Sequence, residues 1–168
     1  MNARVDHTKI RPATRADLPI INDIYNHYVL NSTSTFQTEP DTLEDRTKWF
    51  TMHGGPYPVT VAETEGQVVA WASISRYHHR CAYQYTVEDS IYVREDMHGR
   101  GIGKALLTDL IERASTIGHH SIIASISADQ PISIALHEKL GFLKVGCMRE
   151  AGYKFNRWLD IIYMQKML

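Results

Sequence analysis

A carboxylate, an imidazole and a glycine loop carry the chemistry available to this chain. Glu88 falls in the alternating stretch Thr86-Val87-Glu88-Asp89-Ser90-Ile91-Tyr92-Val93. Strand side chains alternate between faces, so Thr86, Glu88, Ser90 and Tyr92 share a polar face opposite Val87, Ile91 and Val93. A bulge, common beside active sites, would break that parity. A carboxylate on such a face can take a proton from a nucleophile. His137, in a helical segment downstream, titrates near neutrality and can give or take one. Both residues also have plain readings, an exposed strand carboxylate and a helix-surface histidine, and composition alone favours these. The third feature is His98-Gly99-Arg100-Gly101-Ile102-Gly103-Lys104, where glycines alternate between a strand and an amphipathic helix. Glycine allows close backbone approach and unusual dihedrals. Exposed N–H groups and the positive helix end suit a pyrophosphate, with Arg100 and Lys104 adding charge. On spacing alone, a plain glycine-rich turn fits equally well. Two other phosphate loops fit worse. Ala105 follows Lys104 where a Walker A loop needs Ser or Thr, and Leu106 stands where a dinucleotide fingerprint needs its third glycine.

A basic run, Arg76, His78, His79 and Arg80, precedes the Glu88 stretch. Arg80 can grip a carboxylate or phosphinate with a forked contact, or sit on a solvated hairpin rim. Cys81 and Cys147 show no CxxC spacing and no nucleophile setting, which fits a reducing cytoplasm. The nine histidines lack metal-ligand spacing, so no metal is expected. A net charge of −1 gives no global field toward nucleic acid. No apolar run reaches membrane-spanning length, and Met1–His7 lacks the apolar core of a secretory signal.

The elements that must position these groups are legible from periodicity. A short first strand ends at Ile10-Arg11-Pro12. Thr14 or Asp17 caps a helix with a stripe of Leu18, Ile21, Ile24, Tyr25 and Tyr28. After a polar stretch from 31 to 40, Thr42 caps a second helix carrying Leu43, Trp49 and Phe50, stopped by Gly54-Gly55. Val59–Ala62 and Val68–Ile74 form a hairpin through Glu65-Gly66. Tyr83–Val93 reads as one long strand. A helix spans Ile102–Ile117, a strand Ser121–Ile126, and a helix Pro131 to Gly141. Phe142–Val145 and Leu159–Met164 read as the last strands. Trp49 and Trp158 are read as core or interface residues. The order β-α-α-β-β-β-α-β-α-β-β predicts early antiparallel pairing, one parallel crossover and a mixed α/β sheet covered by helices. One domain over 1–168 is expected.

Ile91 to Leu107, with Leu136-His137-Glu138-Lys139-Leu140-Gly141-Phe142, resembles the GCN5-related N-acetyltransferase (GNAT) superfamily. Its loop is usually Gln/Arg-x-x-Gly-x-Gly/Ala, and His98 departs from it at the first position. Thr35-Phe36-Gln37-Thr38-Glu39-Pro40, Thr86-Val87-Glu88, His137, Gly152-Tyr153-Lys154 and Trp158-Leu159-Asp160 narrow the resemblance to its phosphinothricin and methionine sulfoximine acetyltransferase branch. The resemblance implies a mixed, mostly antiparallel sheet with a V-shaped split that holds acetyl-CoA. It implies cofactor contacts from Ile91, Tyr92, Val93, Gly99, Arg100, Gly101, Ile102, Gly103, Lys104, Gln130 and Ser133, with the Val93 N–H as oxyanion donor. It implies Glu88 as general base, directly or through water, and His137 as assisting base or acid where many relatives carry a tyrosine. Phe36, His78, Arg80, Tyr83 and Tyr92 are implied around a small amino-acid acceptor. A cytoplasmic homodimer follows on the same basis. Two other readings stand beside this one: an acetyltransferase of protein N-termini, and a CoA-binding sensor without turnover.

Overall fold

The computed structural model describes residues 8–168; Met1–His7, where no secretory signal is expected, lie outside the described residues. The chain runs β1 (Lys9–Pro12), α1 (Leu18–Asn31), α2 (Leu43–Thr51), β2 (Val59–Thr64), β3 (Gln67–Arg76), β4 (Thr86–Val93), α3 (Ile102–Ile117), β5 (Ser121–Ser127), α4 (Pro131–Lys139), β6 (Leu143–Lys154) and β7 (Arg157–Met167), with short 3₁₀ turns between some of them. The predicted element order holds. One seven-stranded sheet is built in the order β1-β2-β3-β4-β5-β7-β6. Every ladder is antiparallel except β4–β5.

Local chemistry explains the boundaries. Thr42 caps α2, its side chain accepting from the Asp45 N–H while Asp45 reaches back to the Thr42 N–H. Thr14 and Asp17 make a similar box around the 3₁₀ turn Arg15–Asp17, so α1 starts only at Leu18. Gly118 ends α3 in the left-handed conformation. Glu65 and Gly66 turn the β2–β3 hairpin with positive φ at both positions.

The sheet separates two apolar clusters. On one face α3 lays Ile102, Leu106, Leu107, Leu110 and Ala114 against Val87, Ile122, Ala124 and Met164. On the other face α1 packs Leu18, Ile21 and Ile24 against Val61, Trp71 and Tyr92. Arg46 of α2 lies buried among these aromatics, 4.2 Å from the Tyr25 ring centre and 4.7 Å from that of Trp49, with its charge met by Asp41 at 2.7 Å.

Some predicted boundaries move, those of β4, β6 and β7 most instructively. Tyr83 belongs to a 3₁₀ turn, Cys81–Tyr83, and β4 begins at Thr86. The aromatic run 83–85 has strand-like composition, but its side chains are exposed and nothing pulls the backbone into the sheet. β6 runs on to Lys154, and β7 begins at Arg157. Their hairpin turns at Phe155 and Asn156 with φ of 51° and 57°, a positive-φ pair without the glycine that would have marked it. Trp158 is exposed and packs on Tyr153 across that hairpin.

Candidate active site

The parallel ladder between β4 and β5 is short. Its register pairs are Thr86 with Ser121, Val87 with Ile122 and Glu88 with Ile123. Beyond Glu88 the two strands part, and both continue, β4 to Val93 and β5 to Ser127. The gap between them is the V. Strand β4 has no bulge against β3, so the parity read from the sequence holds.

Hydrogen-bond alternation decides which backbone groups face the gap. The Arg94 N–H donates to the Val69 carbonyl, and the Tyr77 N–H to the Thr86 carbonyl. Even-numbered residues of β4 therefore exchange hydrogen bonds with β3, and odd-numbered ones point the other way. Ile91 and Val93 turn their N–H and C=O groups into the V, while the backbone of Tyr92 is engaged with β3. The Tyr92 side chain is buried with Tyr25, Tyr28 and Trp71 rather than set on an open wall. Its hydroxyl is pushed up by burial and by neighbouring phenols.

Glu88 sits at the vertex. Its carboxyl is raised from the ordinary glutamate value, first by burial and then by the charge of Asp89, against a lowering hydrogen bond from Ser125. Ser125 belongs to β5, on the other strand of the opening.

His137 lies on the opposite face and is buried, at 4% exposure. Its Nδ1 is 2.7 Å from the Ser133 carbonyl oxygen and its Nε2 2.9 Å from Asp89 Oδ2. Burial pushes the imidazole down, but Asp89 and the Ser133 carbonyl together outweigh it and leave the pKa raised. Asp89 escaped the sequence reading. The signal was its parity, because a carboxylate in line with Val87, Ile91 and Val93 points into an apolar face and needs a partner.

The glycine loop closes one arm of the V. Gly99 and Gly101 take φ of 76° and 79°, a conformation that disfavours any side chain. Gly101 is the N-cap of α3. The first N–H groups of that helix have no partner one turn back, and point outward as a cradle for an anion. Gly103 packs beside Leu136 of α4 and Val93 of β4, which ties the cradle to the end of the strand. Lys104 is exposed in the first turn. His98, at the loop's unusual position, is turned back onto the fold. The Tyr28 hydroxyl donates to the Val93 carbonyl at 2.5 Å, and His98 Nε2 lies 2.8 Å from that hydroxyl and 3.0 Å from that carbonyl. The single hydroxyl proton is directed at the carbonyl, so the imidazole N–H is the donor to both oxygens. Tyr28, His98, Ser32, Ser34 and Gln130 line a cavity of about 350 Å³ at the mouth of the split. Gln130 donates to Thr33 Oγ1 at 2.8 Å, and Thr33 donates to Asp129. The Ser133 backbone carbonyl is engaged with His137.

The residues expected around the acceptor are placed separately. The Phe36 ring lies on Gly152 of β6, so close that a Cβ there would stand 2.2 Å from it. The loop carrying Phe36 is held by Lys154, a buried lysine that donates to the carbonyls of Ser32 and Thr35 at 2.7 and 2.8 Å. Neither Gly152 nor Lys154 was picked out by its chemistry, since contacts across more than a hundred residues leave no local mark. Arg80 and His78 stand on an exposed turn where the Arg80 N–H donates to His78 Nδ1, and Tyr83 packs against His78 at 4.9 Å. Cys81 and Cys147 are both exposed thiols.

A mixed sheet that splits beside a carboxylate, with a glycine-capped helix at one arm, is the architecture of an acyltransferase that takes a phosphate-bearing donor. The acetyltransferase (GNAT) family profile matches residues 21–142, and the chain belongs to that family and is an N-acetyltransferase. It is 43% identical over 158 residues, 93% of this chain and 92% of the relative, to an L-methionine sulfoximine/L-methionine sulfone acetyltransferase of Pseudomonas aeruginosa. It superposes with a TM-score of 0.93 on a phosphinothricin acetyltransferase of Sinorhizobium meliloti solved with acetyl-CoA, at 42% identity over 96% of this chain and 88% of that one. A ribosomal-protein-alanine N-acetyltransferase of Brucella melitensis fits as well, with TM-score 0.93 and 42% identity over 95% of this chain and 99% of that one. Among the described residues no helix is long and apolar enough to cross a membrane.

Proposed function

We propose that this enzyme moves the acetyl group of acetyl-CoA onto the α-amino group of a small polar amino acid or analogue, with phosphinothricin, methionine sulfoximine and methionine sulfone as candidate acceptors. The carrying observation is the split itself. The main chain of Ile91 and Val93 faces the gap, Glu88 guards its vertex, and the helix cradle sits at its far end. An extended, amide-containing arm with a pyrophosphate fits that path: amides against the Ile91 main chain and the Val93 N–H, phosphates against Gly99–Lys104. Gln130 and Ser133 stand at the start of α4, across the V from the strand edge, as further cofactor contacts.

The chemistry follows from the groups present. An α-ammonium is mostly protonated at neutral pH. Glu88, directly or through water, takes its proton. The amine nitrogen then attacks the thioester carbonyl carbon, the C–N bond forms, and the C–S bond breaks. The Val93 N–H, turned into the gap, supports the oxyanion. The departing thiolate takes up the proton that the nitrogen sheds as the amide forms. For His137 the geometry supports the protonated role over that of a second base. No acetyl-enzyme is needed, since neither exposed cysteine lies in an activating setting. Phe36 forms a wall for the acceptor, with Arg80, His78 and Tyr83 at the rim to meet its acidic group.

A thiol-release screen over free amino acids and these analogues, at fixed acetyl-CoA, tests the reading. Transfer to one of them is expected, and its failure for all of them overturns the acceptor class. The Brucella relative favours a second reading, transfer to a protein N-terminus. Peptides assayed beside free amino acids separate the two. Detoxification of glutamate-like inhibitors, as in herbicide resistance, would be a consequence of the same activity. We also infer a cytoplasmic homodimer. Supporting it, the outer strand β6 exposes Leu143, Val145 and Met148 along an edge that pairs with no further strand among the described residues, and light scattering measures the state directly.

A further inference from the structure

The vertex of the V carries a carboxylate on each face of the sheet. On the α1 face stands Glu88, whose carboxyl is raised chiefly by burial. On the α3 face, Asp89 meets His137 of α4. Asp89 is the first residue past the last register pair, Glu88 with Ile123, and α4 is the helix that follows β5. The contact therefore ties the two arms of the split together where they separate. Both partners are buried, with side-chain exposures of 5% for His137 and 3% for Asp89.

Hydrogen-bond chemistry fixes the proton count of this couple. Nδ1 faces a backbone carbonyl oxygen, which only accepts, so Nδ1 carries hydrogen. Nε2 faces a carboxylate oxygen, and one proton lies between them. Whether that proton is assigned to nitrogen or to oxygen, no ring lone pair is left to act as a base. The Phe142 ring stands edge-on to the imidazole at 4.9 Å, and Ile74 of β3 is in register with Asp89. The other charged group that feels Asp89 is Glu88, one residue away on the opposite face, whose carboxyl Asp89 pushes up.

We propose that Asp89 is a positioning residue for acetyl transfer: its buried pair with His137 clasps β4 to α4 at the vertex of the split and holds the imidazole protonated, so that Glu88 is the one base of the site. This rests on the acetyltransferase reading above and adds a residue to it. The clasp sets the width of the gap where the thioester must lie. It also sets the field in which Glu88 titrates.

Two measurements on the full-length protein test it. The first is independent of turnover: the ring nitrogens of His137, followed by NMR with labelled histidine. In the wild type they stay in the protonated form across neutral pH. In Asp89→Asn they titrate to a neutral tautomer within that range, because the asparagine amide cannot hold the charge. The second is the pH profile of kcat/KM. Removing the Asp89 charge lowers the Glu88 pKa, so the acid limb moves to lower pH in Asp89→Asn. The KM for acetyl-CoA rises by about tenfold, within the coupling range for residues of one hydrogen-bonded network. A merely structural carboxylate would leave the acid limb in place. An unmoved acid limb, or a wild-type His137 that titrates like a free histidine, overturns the proposal. If Asp89→Asn does not fold, the wild-type titration alone decides the protonation state, and the double variant Asp89→Asn/His137→Asn replaces it for the clasp. Absence of any acetyl transfer by the wild type would instead strike the function, while the NMR titration would still decide the protonation state of the pair.

Discussion

Replacing Gly152 by alanine probes the proposed acceptor wall without touching any group proposed to react. Gly152 is not among the glycines with positive φ, so alanine is tolerated by the backbone. The added Cβ, however, would stand 2.2 and 2.3 Å from two Phe36 ring atoms and 3.1 Å from a third. Carbon atoms settle at about 3.5–4.0 Å, so the ring must retreat by roughly 1.3–1.8 Å. Its loop cannot follow freely, because Lys154 grips the carbonyls of Ser32 and Thr35 beside it. The strain of such overpacking is about 1–3 kcal/mol. In a chain of this length that lowers Tm by roughly 2–12 °C, at about 2–4 °C per kcal/mol.

The kinetic consequence is specific to the acceptor. A wall displaced by about 1 Å can reduce productive alignment as much as 10²-fold. We expect kcat/KM for the amine to fall by about 10- to 100-fold, while acetyl-CoA affinity, set across the V, changes by no more than about twofold. Phe36→Leu in the Gly152→Ala background removes the offending ring edge and should recover most of the lost Tm, giving a coupling of about 1 kcal/mol or more in the double-mutant cycle. Thermal melts and steady-state kinetics with each substrate varied read all of this. Wild-type Tm and acceptor KM in Gly152→Ala would refute the contact; a loss confined to the acetyl-CoA KM would refute the assignment of Phe36 to the acceptor.

Glu88→Gln should lower turnover by at least about 10²-fold with acetyl-CoA binding retained in calorimetry, and the wild-type rate should rise with pH through a midpoint above the ordinary glutamate value, as its burial requires. The folded state holds the Glu88 proton more tightly than the unfolded chain does. The stabilisation is thus complete below the ordinary glutamate pKa and lost as pH rises through the raised one, and Glu88→Gln should match or exceed wild-type stability above it in denaturant titrations at two pH values. Gly101→Ala forces a side chain into φ of 79° at a strain of about 1–2 kcal/mol; the acetyl-CoA Kd should weaken by roughly 5- to 30-fold while acceptor KM is unchanged. Lys154→Met strips the donor from two carbonyls at about 1–3 kcal/mol and should speed hydrogen exchange in the Ser32–Phe36 segment.

Much of the site was legible because it follows from strand parity and glycine placement, which are local. Alternation from Thr86 to Val93 assigned Glu88 its face, and glycines at 99 and 101 marked positions where only positive φ would serve. What stayed hidden depends on distant pairings. The β6–β7 hairpin turns at Phe155-Asn156, where the register with β7 forces a conformation that the residue types do not announce. Parity put Tyr92 on the face of Glu88, which holds, and the family resemblance implied a place for it around the acceptor. Only the packing of α1 over that face reveals that aromatic neighbours cover it. His98 stood out only as a departure from the family loop, and it is committed to Tyr28 and Val93, with Tyr28 seventy residues away in the chain.

The pleat of β4 is what lets neighbouring acids do opposite work. Glu88 and Asp89 are consecutive, yet one faces the α1 side and the other the α3 side. A slip of one residue in the β3–β4 register would exchange them, sending the unpaired carboxylate to His137 and the paired one to the acceptor. That register is fixed by a ladder from Ala70–Val93 to Arg76–Val87 without a bulge, and by Val87 and Tyr92 buried on opposite faces. An insertion within 87–91 should therefore abolish transfer more completely than loss of either carboxylate alone, since it would misplace the proposed base, the proposed clasp and the backbone of Ile91 and Val93 that faces the gap in one step.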